Sequence, residues 1–135
     1  MEKKTKIVLT VIAAVLLLAL IAGGFYLKSV AEYKAKVEAI TFTSPDLAQL
    51  PDGTYEGSFD AGIVAARVHV FIEDHTIVRI DILEHKNGKG KPAEAVIANM
   101  VGGQTTAVEA VAGATNSSKV LRKAVENALE AGPVR

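Results

Sequence analysis

An uninterrupted apolar run near the N-terminus constrains this chain more than any other feature. Residues 7–27 contain no charged side chain, and Thr10 and Tyr26 carry the only hydroxyl groups in the run. A helix of this length extends about 31 Å, which matches the hydrocarbon thickness of a bilayer. Because backbone polar groups in lipid must be bonded within the segment, we expect residues 1–28 to form a transmembrane anchor.

The charges around this run predict its orientation. Lys3, Lys4 and Lys6 precede it, which favours a cytoplasmic N-terminus and an extracytoplasmic position for the remainder. A cleaved signal peptide is an open alternative, because small residues occur at positions 22–24 and 29–31. The apolar core of a signal peptide is usually about 7–15 residues long, so the length favours an uncleaved anchor. A buried core helix is disfavoured, since a domain this small cannot enclose a helix that is apolar all round.

Composition excludes several classes of function. The sequence has no cysteine, which excludes disulfides, thiolate zinc sites, iron–sulfur clusters and a lipidated cysteine. Residues 29–135 hold 11 basic and 14 acidic side chains, so this part carries a net charge of −3. A mildly acidic domain has no basic footprint for nucleic acid, and we expect no nucleic-acid partner.

The remainder of the chain predicts a stalk over residues 29–50 and one small domain over residues 51–135. Alternating apolar residues and turn signals predict three strands, and apolar stripes at helical spacing predict two helices. The strands are expected over residues 54–59, 64–73 and 76–84. The first helix is expected over residues 92–103. The second helix is expected to begin within residues 113–118 and to end at residue 132. Residues 104–111 are undecided, with a short extended segment as the expectation. This order predicts an α+β fold, a small antiparallel sheet with helices packed on it.

The start of the last predicted helix lacks the acid that usually stands there. No Asp or Glu occurs between Thr115 and Glu126, and the first turn is polar or basic instead. Its members are Asn116, Ser117, Ser118 and Lys119. A helix N-terminus has unpaired N–H groups and a partial positive charge, so an external anion such as a phosphate suits this position. Ordinary capping by Thr115, Asn116 or Ser117 is the alternative, and the residues alone leave both open.

Residues 109–115 (EAVAGAT) resemble the attachment motif of the FMN-binding domain family, written Asp-x-x-(Ser/Thr)-Gly-Ala-Thr. Residues 52–58 and 80–86 resemble the family's opening strand and third strand, so the resemblance covers roughly residues 51–131. The family includes flavin subunits of the sodium-pumping NADH:quinone reductase and of Rnf-type complexes. The resemblance implies an FMN cofactor, joined through a phosphoester to the Thr115 hydroxyl by an FAD:protein FMN transferase.

Two positions depart from the motif. Glu109 stands where the family usually has Asp, and Ala112 stands where it usually has Ser or Thr. Two hypotheses follow. In the first, the chain carries electrons on a covalently linked FMN and exchanges them with a membrane-bound or extracytoplasmic redox partner. In the second, it is a non-flavinylated or reversibly FMN-binding accessory subunit of a membrane redox complex. A stand-alone flavin reductase is a weaker third, because no nicotinamide-binding fingerprint is present.

The candidate cofactor-binding residues follow from this resemblance and from the polar segments near it. Gly113 suits a sharp backbone turn, and Ala114 leaves room for the flavin. The other candidates are Thr115, Asn116, Ser117, Ser118, Glu109, His85 and Gly90. The polar loop over residues 87–91 is expected either to border the cofactor or to be a plain surface turn. We expect no metal site and no catalytic side chain, since the histidines lack ligand spacing and no nucleophile–base pair is visible.

Overall fold

The computed structural model describes residues 1–86 and 90–134, and it has the predicted α+β fold. A three-stranded antiparallel sheet carries helices on one face, and one long apolar helix precedes it. The elements in chain order are α1 (Glu2–Glu38), a 3₁₀ turn (Leu47–Gln49), β1 (Gly53–Asp60), β2 (Ala65–Glu73), β3 (Thr76–Lys86), α2 (Gly90–Gly103) and α3 (Thr115–Ala131). The predicted positions of the three strands and two helices are confirmed to within a few residues.

The sheet is a simple meander in the order β1-β2-β3. Tyr55 of β1 pairs with Val70 of β2, which in turn pairs with Ile80 of β3. Asp74 and His75 connect β2 to β3 with φ values of 50° and 59°. Two consecutive positive φ values are typical of a type I′ turn, whose twist matches that of the flanking strands and permits a two-residue hairpin.

One face of the sheet forms the core with α3, as the alternation in the sequence predicts. The buried residues of β2 and the segment before it are Val64, Ala66, Val68, Val70 and Ile72. The buried stripe of α3 comprises Val120, Leu121, Ala124, Val125, Ala128 and Leu129. Gly57 of β1 lies against Ala124 and Ala128, and a β-carbon at Gly57 would overlap their backbone atoms. This small-residue contact lets α3 approach the sheet closely and fixes its position over β1 and β2.

Helix α1 is one continuous helix of 37 residues, and its most apolar window has a mean hydropathy of 2.8 and no buried residue. It is long and apolar enough to cross a membrane, and its exposure excludes a buried core helix. The helix passes residue 28 and ends at Glu38, because Ala, Glu and Lys after the apolar run are good helix formers. Val37, near its end, is only 2% exposed and packs into the domain core.

The segment after α1 lies along α3. We call residues 41–44 the strap. The Lys123 Nζ donates to the carbonyl of Thr41 at 3.0 Å, and the Arg122 guanidinium lies 3.9 Å from the ring centroid of Phe42. The backbone N–H groups of Thr43 and Ser44 donate to the Glu126 carboxylate at 2.9 and 3.2 Å. These contacts join the end of α1 to the middle of α3.

No strand forms between α2 and α3, where a short extended segment was expected. The side chain of Gln104 instead bonds to the edge of β3, accepting from the Ile77 N–H at 2.8 Å and donating to the Ile77 carbonyl at 2.9 Å. One amide side chain therefore satisfies the backbone groups that a fourth strand would otherwise pair.

Candidate functional site

The first turn of α3 contains no acidic side chain. The helix begins at Thr115, and its N-cap residue Ala114 makes no side-chain capping hydrogen bond. Within the described residues neither Thr115 nor Asn116 makes a side-chain hydrogen bond, so neither of them caps the helix. Gly113 has a φ of 79°, a value that favours glycine, and it reverses the chain just before the helix. The helix start therefore keeps its positive end without a carboxylate of its own.

Thr115 and Asn116 point outward from this turn. Both residues are exposed, and within the described part of the chain neither side chain makes a hydrogen bond. An exposed hydroxyl at a positive helix end is accessible to an incoming phosphate. This geometry is the one that attachment at Thr115 requires.

Ser118 lies one turn further along and has a different role. It is 2% exposed, and its hydroxyl donates to the carbonyl of Ala114 at 2.7 Å. The same hydroxyl accepts from the N–H of Val111 at 3.1 Å. Both bonds hold the chain reversal that precedes Thr115. The hydroxyl of Ser118 is thus engaged within the protein, and its contribution to the site is to hold the turn in shape.

An open cleft of about 510 Å³ adjoins Thr115, and we call it the Thr115 cleft. Five of the predicted site residues line it together, namely Gly113, Ala114, Thr115, Asn116 and Ser117. Its other lining residues are Tyr33 of α1 and Ile63 and Val64, which precede β2. The volume lies within the range of about 300–1,000 Å³ that is usual for ligand pockets. A polar helix end facing apolar walls suits a cofactor with a phosphate at one end and an aromatic ring at the other.

Glu109 lies in a second cleft, which also adjoins the start of α3. This cleft of about 310 Å³ is also lined by Phe42, Lys119 and Arg122, and we call it the Glu109 cleft. Glu109 is exposed there and is not among the residues that line the Thr115 cleft. The structure thus places the motif's carboxylate and its threonine in different clefts.

His85 lines neither cleft. His85 pairs with Ala66 at the end of β3, and its Nε2 is enclosed without a hydrogen-bond partner in the residues that the structure describes. Burial lowers the pKa of His85, and the nearby Glu94 partly opposes that shift. Gly90 begins α2, and residues 87–89 of the predicted polar loop lie outside the described residues.

Sequence reasoning missed two groups of residues at this site. The sequence pattern places Tyr33 in the stalk and Val64 at the start of a strand, and it does not single out Ile63, yet all three line the Thr115 cleft. Glu126 was read only as the first acid of α3, although it is fully buried. For Tyr33, the signal in the sequence is its spacing of four residues from Val37, which places both on one helix face.

Comparison with known proteins agrees with this geometry. The model of the FMN-binding domain family matches residues 61–130, which is just over half of the chain. The matched region runs from the segment before β2 to the last turn of α3, and it includes the whole turn around Thr115. No individual curated protein matches the chain significantly.

Proposed function

This chain belongs to the FMN-binding domain family, and we propose that it is a membrane-anchored electron carrier whose FMN is linked to Thr115. The family supplies the cofactor, and α1 supplies a helix long and apolar enough to anchor it. The observation that carries the proposal is the exposed Thr115 hydroxyl at the acid-free start of α3, open to the Thr115 cleft.

Attachment would form a phosphoester between Thr115 and FMN. The Thr115 hydroxyl loses its proton, its oxygen bonds to the flavin-side phosphorus of FAD, and the pyrophosphate bond breaks with release of AMP. An FAD:protein FMN transferase is the partner that the family resemblance implies for this step. The exposure of Thr115 supports it, since a transferase has to reach the hydroxyl.

The start of α3 would hold the phosphate after attachment. Its positive end carries no acidic side chain in the first turn, so no carboxylate repels the phosphate. Gly113 and Ser118 keep the preceding turn in the shape that exposes this end. The chain's own residues thus bind and orient the cofactor, while the flavin supplies the electron-transfer chemistry.

The anchor would place the flavin outside the cytoplasm. Lys3, Lys4 and Lys6 precede the apolar run, and positive flanks favour the cytoplasmic side. The folded domain would then face the extracytoplasmic side, where a covalent link prevents loss of FMN. Its electrons would pass to and from a membrane-bound or extracytoplasmic redox partner.

The attachment is tested by producing the full chain together with an FAD:protein FMN transferase and measuring its mass after denaturation. We expect one added FMN less one water, which Thr115→Ala abolishes and Thr115→Ser retains at least in part. Thr76→Ala is the matched control, because this exposed threonine lies at the opposite β2–β3 turn. An unchanged mass for the unmodified chain, or full labelling of Thr115→Ala, contradicts the proposal.

Glu109 and Ala112 support the second hypothesis, that of reversible binding. If the chain binds FMN without a mass change, the double variant Glu109→Asp/Ala112→Ser restores the family's motif and is expected to gain the label. The gain would show that the two departures block the transferase. No gain, with FMN still bound reversibly, would assign the chain to the non-covalent class.

A further inference from the structure

Helix α1 continues beyond its apolar run and lays one face on the domain. The residues of this face are Ser29, Glu32, Tyr33, Lys36 and Val37, at the spacing of one helix face. Ser29, Glu32 and Lys36 adjoin Gly62 and Lys86 across a cleft of about 410 Å³. The end of α1 therefore forms part of the surface of the domain.

Tyr33 is the residue of this face that reaches the Thr115 cleft. It is half-buried and packs against the hydrophobic core, while part of its side chain lines the cleft. Within the described residues its hydroxyl makes no hydrogen bond. The fold therefore packs part of the Tyr33 ring against the core and leaves the rest of the side chain facing the cleft.

We propose that Tyr33 contacts the flavin, so that the anchor helix supplies one wall of the cofactor site. The inference rests on the proposed location of FMN at Thr115. The start of α3 takes the phosphate, and the other lining residues in the described part of the chain, Ile63, Val64 and Tyr33, supply largely apolar walls. A planar aromatic ring is the side chain that packs best on an isoalloxazine ring.

This contact sets the height of the flavin above the bilayer. Tyr33 lies six positions after Leu27, the end of the apolar run, which corresponds to a rise of about 9 Å along the helix. Because Val37 is anchored in the core just beyond, the domain cannot swing freely on the helix. The flavin is held close to the membrane surface, within reach of a partner at that surface.

The test uses the full chain in detergent or nanodiscs, loaded with FMN by the transferase. The measured quantities are flavin fluorescence and its quenching by iodide. Tyr33→Ala is expected to raise the fluorescence and the iodide quenching, because tyrosine quenches a flavin that it touches and shields it from solvent. Tyr33→Phe retains the shielding, and Tyr33→Trp lowers the fluorescence below that of the unmodified protein.

Tyr26→Ala is the matched control, since Tyr26 lies two turns earlier on the same helix and is 67% exposed. Its fluorescence and iodide quenching are expected to equal those of the unmodified chain. Fluorescence and iodide access that do not change in Tyr33→Ala and Tyr33→Trp overturn the proposal. If Tyr33→Ala does not fold, Tyr33→Trp decides, because it keeps a large aromatic side chain at the position.

The failure of this inference is distinguishable from failure of covalent attachment. If the chain acquires no covalent FMN, free FMN is titrated instead, and Tyr33→Ala is expected to weaken its affinity about three- to tenfold. Unchanged affinity with binding still present rejects the Tyr33 contact alone. Absence of any FMN binding rejects both the contact and the proposed function.

Discussion

The two halves of α3 use polar side chains in opposite ways. At its start, Thr115 and Asn116 are exposed and, in the part of the chain described, make no side-chain hydrogen bond. Three turns later, the Glu126 carboxylate is fully buried and accepts four hydrogen bonds. Thr115 and Asn116 thus face solvent, whereas the Glu126 carboxylate is engaged in hydrogen bonds within the fold.

The contrast shows how one helix can pack into the domain through its middle and leave polar side chains at its start accessible to a ligand. Glu126 joins three parts of the chain, since its partners lie in the strap, on α3 itself at Arg122, and at Thr106 between the helices. The rigid middle fixes the direction of α3 and thereby the position of its start. Thr115 and Asn116 can then remain exposed, because the stability of the helix comes from its packed stripe.

Loss of Glu126 should have the largest effect on stability. Glu126→Ala leaves two backbone N–H groups, the Thr106 hydroxyl and Arg122 without their acceptor. We expect the free energy of unfolding to fall by about 3–5 kcal/mol, the usual cost of removing one partner from a buried ionic network. Chemical denaturation measures this change.

Glu130→Ala is the matched control for Glu126→Ala. Glu130 lies one turn further on, is exposed, and contacts the strap only through the Thr43 hydroxyl. Its removal should change stability by no more than about 0.5 kcal/mol, as is usual for a surface substitution. Equal losses for the two variants would show that the strap, and not the buried carboxylate, stabilises this region.

An acid placed at the start of α3 should separate stability from ligand binding. Asn116→Asp puts a carboxylate into the positive first turn and should stabilise the FMN-free chain by about 0.3–1 kcal/mol. The same charge repels a phosphate, so attachment or affinity for FMN should decrease. Thermal unfolding of the free chain and its FMN content, measured on one preparation, check the two effects.

A carboxylate placed at the other end of the helix is the control, and its effect on the stability of the free chain should have the opposite sign. Ala131→Asp places a carboxylate at the exposed last residue of α3, where the helix dipole is negative. It should destabilise the free chain slightly and leave the FMN content unchanged. A loss of FMN in both variants would mean that the acid acts through stability and not at the site.

The smallest effect on stability should come from replacing a carboxylate that is hydrogen-bonded but exposed. Glu56, on the outer face of the sheet, bonds to His69 at 2.9 Å, and this bond lowers its pKa below the ordinary value of 4.5. Since the folded-state pKa is depressed, the stabilisation is present above pH 4.5 and is lost as the pH falls through the lower folded value.

Glu56→Gln removes this acid-dependent component. The variant's stability should fall less steeply than that of the unmodified chain as the pH drops below 4.5. Denaturation midpoints measured at several pH values show the slopes. If the stability that the unmodified chain loses to acid, relative to Glu56→Gln, were as large as the stability lost in Glu126→Ala, burial would not distinguish the two carboxylates.

The sequence by itself determined the elements whose signals are local. The apolar run predicts α1, the alternation of β2 predicts its buried face, and the stripe of α3 predicts its packing side. Each follows from the period of side chains along a single segment, which no distant contact alters. The acid-free first turn around Thr115 is local in the same sense, as is the motif that carries the family resemblance.

Only the tertiary structure decided which of these segments share a site. Tyr33 and Thr115 are more than eighty residues apart, and they meet because Val37 is buried in the core beside α3. Glu126 becomes a buried acceptor only when the strap folds over α3, and Glu109 faces a different cleft from Thr115. Such contacts arise from the packing of separate elements, and a periodic pattern within one element contains no information about its distant neighbours.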